Sequence, residues 1–190
     1  EDLVRRVARA TALECLATGV RWNFGPAVSV PQDLRWGRSY EGFSQDTDAV
    51  SRFTRAYVEG LRGDSWDSPI SVSPSIKHFI ADGAATWGSS KRVDRAALEL
   101  DRTLAISNMG EQFAHLIEEG AWMIDQGVSE ISEAELREVH LPPYLAAIEA
   151  GALNIMASFS SWNGLKMHAQ KYLLTDVLKG ELGFKGFIVS

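Results

Sequence analysis

Three features of the sequence predict an α/β protein: a partial (β/α)8 TIM-type barrel of about four strands, with outer helices and a helical insertion. Apolar, strand-like runs alternate with stretches of helical period, the pattern of a parallel sheet covered by helices. The connections are short at one end of these strands and long, polar and aromatic at the other. Finally, the 190 residues fall short of the ~250 that an eight-stranded barrel takes. Residues 1–190 are therefore expected to be one piece of a single barrel domain.

Each element has a local reason. Leu3, Val7, Ala10, Leu13 and Leu16 repeat with helical spacing, and Gly19 is a natural stop. The alternating run 20–24 predicts a strand entering a loop at Gly25-Pro26. Residues 31–46 form a long polar loop rich in Arg and aromatic residues, and long loops in compact domains usually carry function. Asp46 or Thr47 caps a helix through about Leu61, its inner face Val50, Phe53, Tyr57, Val58 and Leu61. A buried strand ending at Lys77-His78 follows within 71–83. Residues 94–119 are mostly helical in pattern, and 87–125 is expected to be a helical insertion. Ser132, with Glu135 three residues on, starts a helix that reaches Gly151 and is bent or split by Pro142-Pro143. Residues 152–158 form a buried strand with 159–170 as its loop, 171–182 a helix, and 186–190 the last strand.

Composition bounds the function. The apolar share of 45% and charged share of 23% are those of an ordinary globular chain. A net charge of −6 argues against a nucleic-acid partner, and no apolar run reaches the ~18–20 residues of a membrane span. The single cysteine, Cys15, excludes an internal disulfide. No P-loop, dinucleotide fingerprint or metal-ligand spacing is present, so no cofactor and no metal are expected.

Three strand-end loops carry distinctive polar residues: Arg35 and Arg38, then Lys77 and His78, then Asn163 and His168. In a barrel these loops converge on one mouth. Their donors suit hydroxyls, carboxylates or phosphates. Arg35 is expected to pair with Asp33, Glu41 to brace its loop and Asp46 to cap a helix. Trp36, Trp162 and Asn163 are expected to pack or brace, Asp82 to serve as a turn or salt-bridge partner, and His115 and His140 to pack within helices.

The runs RWGRSYEG (35–42), KHFIADG (77–83), ELREVHLPPY (135–144), MASFSSWNG (156–164), KMH (166–168) and KYLLTDVLKGELGFKGFIVS (171–190) occur in one order over nearly the whole chain. In that order they resemble the N-terminal barrel domain of family 3 glycoside hydrolases, the β-glucosidase and exo-β-glucanase family. The resemblance implies retaining hydrolysis of a β-linked glucoside or oligosaccharide from its non-reducing end. It implies that Arg38, Lys77, His78, Met156 and Phe159 contact the terminal sugar. Asp82, Trp162, Asn163 and His168 are expected behind them. Phe159 departs from a common Tyr, so a hydroxyl that would reach the nucleophile is missing. The resemblance also sets the nucleophilic Asp directly after the last strand, one residue past Ser190, and the acid/base in a later part of the protein. No catalytic residue is thus expected in this chain, which would need the rest of its parent enzyme and be inactive alone. A periplasmic or extracellular location is favoured, with the cytoplasm as the alternative. Two rival readings are a non-catalytic carbohydrate-binding relative and a barrel aldolase or isomerase using Lys77 as a Schiff-base amine.

Overall fold

The computed structural model describes residues 1–90 and 127–190. The insertion expected over 87–125, the helical pattern at 94–119 and His115 lie outside these residues, except for the turn at 87–90.

Helix α1 (Asp2–Ala17) is followed by strand β1 (Trp22–Asn23), helix α2 (Thr47–Arg62) and strand β2 (Ser73–Phe79). After the short strand β3 (Val128–Ser129) come α3 (Glu133–Glu135), a π-helical segment Leu136–His140 and α4 (Pro142–Glu149). Strand β4 (Asn154–Ala157), the short β5 (Ser161–Trp162) and β6 (Leu165–Lys166), a π-helix Tyr172–Glu181 and β7 (Phe187–Val189) complete the chain. Asp46 caps α2, its carboxylate accepting from Ala49 N–H at 2.7 Å, and the Ser132 hydroxyl accepts from Glu135 N–H at 3.1 Å to start α3.

The main sheet has the order β1-β2-β4-β7, and every pair in it is parallel. Each new long strand is added beside the previous one, with no reversal. A doubly wound sheet reverses its order at a switch point, whereas a barrel does not. This is the fold of part of a (β/α) barrel.

The two faces of the sheet differ. Ile76 and Ile155 are register partners, wholly buried in the core that includes Val50 and Val58 of α2 and Tyr144 and Ala147 of α4. The opposite face carries Ser75 beside Asn154 and Lys77 beside Met156. There the Trp22 indole N–H donates to Ser75 Oγ at 2.9 Å, and the Trp22 and Phe187 rings meet at 5.6 Å. This inner face leads to the strand ends that form the site. On the outside, α1 packs on α2 through Ala8, Ala12 and Leu61. Gly60 permits that approach, because a Cβ there would lie 2.4 Å from Arg5 O and 2.6 Å from Ala8 Cβ.

Some elements differ from the sequence reading. The loop expected at 159–170 contains the β5–β6 hairpin, whose Asn163-Gly164 turn has φ 47° and 86°. Two consecutive positive-φ residues are what a type I′ turn requires, and Asn-Gly supplies them. Its partner β3 falls on residues assigned to no strand. The helix that starts at Ser132 divides at Pro142, the split expected from Pro142-Pro143, because the proline ring rejects the helical hydrogen bond. No helix among the described residues is long and apolar enough to cross a membrane.

Candidate functional site

Strand β2 does not end as a regular strand. Its ladder with β4 runs Ile76–Ile155 and Lys77–Met156, then jumps to Phe79–Ala157. Side chains of an unbroken strand alternate between faces. The irregularity at His78 lets Lys77 and His78 address the same site from adjacent positions. Beyond it, Ala81 adopts a left-handed conformation with φ 65°, uncommon for a residue with a Cβ. The turn is held by the Ser129 hydroxyl, which donates to Ala81 O at 2.6 Å. It brings Asp82 back beneath the imidazole, four residues away.

Asp82 is a hub. Its Oδ2 lies 2.8 Å from His78 Nδ1, while Oδ1 accepts from Ser29 Oγ at 2.6 Å and from Gly83 N–H at 3.0 Å. The carboxylate therefore joins the chain after β1 to the end of β2. Ser29, His78 and Asp82 are all buried. With the carboxylate accepting the Nδ1 proton, a neutral His78 leaves Nε2 as an acceptor. Gly83 is confined as well: a Cβ on it would lie 2.7 Å from Val30 O.

A second cluster hangs over this base. The Arg38 guanidinium donates from Nε to Glu41 Oε1 at 2.7 Å and from Nη2 to Oε2 at 2.8 Å, a bidentate pair that fixes the plane of the fork. Lys77 Nζ stands 3.9 Å from the same carboxylate. The Arg38 guanidinium, foremost by hydrogen bonding, holds the Glu41 carboxyl below its ordinary range. Two cationic side chains, Arg38 and Lys77, are thus balanced by two carboxylates, Glu41 and Asp82.

Trp36, Arg38, His78, Asp82, Ser158 and Phe159, among others, line a small open cleft. It gathers the three predicted loops. Phe159 is half exposed, and its ring stacks on His168 with centroids 5.3 Å apart. His168 Nε2 in turn lies 2.6 Å from Ser190 Oγ, so it links the third loop to the end of β7. Met156 stands beside Lys77 on the inner face. Trp162 and Asn163 lie elsewhere: both donate to Ile131 O, at 2.9 and 3.1 Å, and brace the hairpin. Arg35 is held by Asp33, with Nε 2.9 Å from Oδ1. His140 is wholly packed, and burial pushes its imidazole down to about 4.

Sequence reasoning missed Ser29, Ser158 and Ser160. The Ser158 and Ser160 hydroxyls lie 2.8 Å apart at the cleft wall. Isolated serines after strands carry no spacing signal, so only the fold reveals them. Among the described residues no group of three or more His, Cys, Asp or Glu side chains gathers to hold a metal ion.

Comparison with known proteins gives a consistent result. The family described as glycosyl hydrolase family 3 N terminal domain matches residues 1–127 and 123–190. A periplasmic beta-glucosidase of Salmonella typhimurium is 31% identical over 189 residues, covering 100% of this chain and 20% of its own length. A beta-xylosidase of Formosa agariphila is 33% identical over 194 residues, covering 100% of this chain and 22% of its own. Among solved structures, a mutant exo-1,3/1,4-beta-glucanase from a Pseudoalteromonas species superimposes with a TM-score of 0.77 at 36% identity, over 98% of this chain and 25% of that one. A mutant beta-glucosidase from Listeria innocua in complex with laminaribiose gives 0.77 at 29% identity, over 100% and 22%. The chain thus spans about a fifth to a quarter of the length of these relatives.

Proposed function

This chain belongs to glycosyl hydrolase family 3, and from that premise we propose that it is the sugar-binding part of a retaining, β-glucosidase-like enzyme that releases glucose from the non-reducing end of β-glucosides. The observation that carries the reading is the charge balance of the cleft. Arg38 and Lys77 are offset by Glu41 and Asp82, so the site offers directed donors and acceptors without a net charge. A phosphate or carboxylate ligand would call for a cationic excess, whereas a neutral polyol needs this mixture to replace the water it loses.

Arg38 and Lys77 donate to the hydroxyls of the terminal sugar, and His78 Nε2 accepts from one of them. Phe159 and Met156 supply apolar wall. The reaction is completed by residues of the parent enzyme. A carboxylate just beyond β7 attacks the anomeric carbon while a protonated carboxyl releases the leaving sugar. Water then breaks the glycosyl-enzyme, the two carboxyls standing ~5–5.5 Å apart. His168, bonded to Ser190, sets the direction in which β7 delivers that carboxylate. Two relatives with periplasmic in their names favour a periplasmic or extracellular location.

The test is hydrolysis of aryl β-glucoside and aryl β-xyloside by the intact protein, its Lys77→Ala variant and the isolated 190-residue chain. We expect turnover by the intact protein with the glucoside preferred, a fall in kcat/KM of about a hundredfold or more in Lys77→Ala, and none by the isolated chain. Wild-type kinetics in Lys77→Ala, or turnover by residues 1–190 alone, overturns the assignment.

A further inference from the structure

The segment after β1 is zipped to the end of β2. Lys77 N–H donates to Pro26 O at 3.1 Å, Val28 N–H to Lys77 O at 2.7 Å and Gln32 N–H to Gly83 O at 2.8 Å. Between these ties the Ser29 hydroxyl donates to Asp82 Oδ1 at 2.6 Å. The other hydrogen bonds to that carboxylate come from His78 Nδ1, at 2.8 Å, and Gly83 N–H, at 3.0 Å. Both of these donors belong to the same turn, 78–83, and move with Asp82. Among the described residues, Ser29 is the donor that reaches the carboxylate from outside that turn. Ser29, His78 and Asp82 are all buried, so the three bonds form out of bulk water, where the loss of one costs most.

Which carboxylate oxygen faces the imidazole depends on what holds the other. With Oδ1 taken by Ser29 and Gly83, Oδ2 is left to His78 Nδ1. The tautomer and the aim of Nε2 follow from that choice. Resting on the reading of His78 Nε2 as the acceptor of a sugar hydroxyl, we propose that Ser29 is a positioning residue for sugar recognition. Through Asp82 it sets the direction of His78, and with it the discrimination of the one hydroxyl that Nε2 accepts. The residues lining the cleft do not include Ser29, so its hydroxyl acts through the carboxylate and not on the ligand. An alanine at this position keeps the backbone ties and the Gly83 bond but frees the carboxylate to turn about its Cβ–Cγ bond. The imidazole then loses its reference to the chain after β1, and Nε2 swings away from the hydroxyl.

The experiment uses the intact enzyme and a set of aryl β-glucosides, one complete and each of the others lacking a single hydroxyl. His78→Ala should lower kcat/KM on every substrate except the deoxyglucoside that lacks the partner of Nε2. Ser29→Ala should lower the ratio of kcat/KM on the complete glucoside to that on the same deoxyglucoside about tenfold. Such a ratio is independent of the fraction of correctly folded enzyme. Added to His78→Ala, Ser29→Ala should bring no further loss, because the path between them is already cut. A merely structural Ser29 would lower all substrates alike and multiply the His78→Ala loss. Either result overturns the positioning role, as does an unchanged ratio in Ser29→Ala, and both leave the reading of His78 standing. If His78→Ala singles out no hydroxyl, that reading fails and takes the role of Ser29 with it.

Discussion

Glu41 holds Arg38 with two hydrogen bonds and stands 3.9 Å from Lys77, so one carboxylate orients two cations of the candidate site. Glu41→Ala is expected to reduce kcat/KM about a hundredfold through misplacement of both, with the melting temperature little changed because the cluster is at the rim. The pH dependence follows from the lowered carboxyl. A depressed acid contributes above its unfolded value and is lost as pH falls through its folded one. The Arg38–Glu41 clamp should thus persist across neutral and mildly acidic pH and release only below the ordinary carboxylate range. His140 behaves in the opposite direction from an ion-paired histidine. Its imidazole is pushed down to about 4, first by burial, and its Nε2 has no hydrogen-bond partner among the described residues. The unfolded chain binds a proton near pH 6.5 and the folded one does not, so stability is complete above that pH and declines as pH falls towards 4. Urea unfolding midpoints at about pH 7 and pH 4.5 should show His140→Phe escaping most of a loss of up to about 3 kcal/mol.

At the level of elements, the α1–α2 contact tolerates no added atom at position 60. Gly60→Ala should cost about 1–3 kcal/mol, measured as a lower urea midpoint with KM for the glucoside unaltered. The same scale shows what the sequence made legible. Helix α2 was readable because Asp46 caps it and its apolar residues repeat at helical spacing, and both signals are local. Ile76 and Ile155 marked the buried strands for the same reason. The β5–β6 hairpin had a local signal too, Asn163-Gly164, but its strands are only two residues long and lack the alternation that would frame the turn. Strand β3 is also two residues and exists through pairing with β5. Motif order grouped Lys77, His78 and Arg38, which the fold brings near one another, and proximity in the chain paired Asp33 with Arg35. The Asp82–Ser29 bond, by contrast, joins residues 53 positions apart. Nothing in either neighbourhood announces it.

At the scale of the whole molecule, the described residues leave the inner face of the sheet uncovered. Trp22, Phe24 and Phe187 are exposed, and the Trp22 ring meets the other two with centroids at 4.9 and 5.6 Å. Exposed contiguous aromatic surface at a sheet face drives association. Residues 1–190 produced alone should therefore run as oligomers in light scattering, and Trp22→Ser combined with Phe187→Ser should shift them towards monomer. A monodisperse wild-type fragment would contradict this.

One further lesson concerns anyone who would transplant this chemistry. Lys77 and His78 can address one candidate site although they are neighbours on a strand, because the ladder slips between Lys77 and Phe79. Copied onto an uninterrupted strand of another scaffold, the dipeptide would send one side chain inward and the other among the helices. The slip has to travel with the residues.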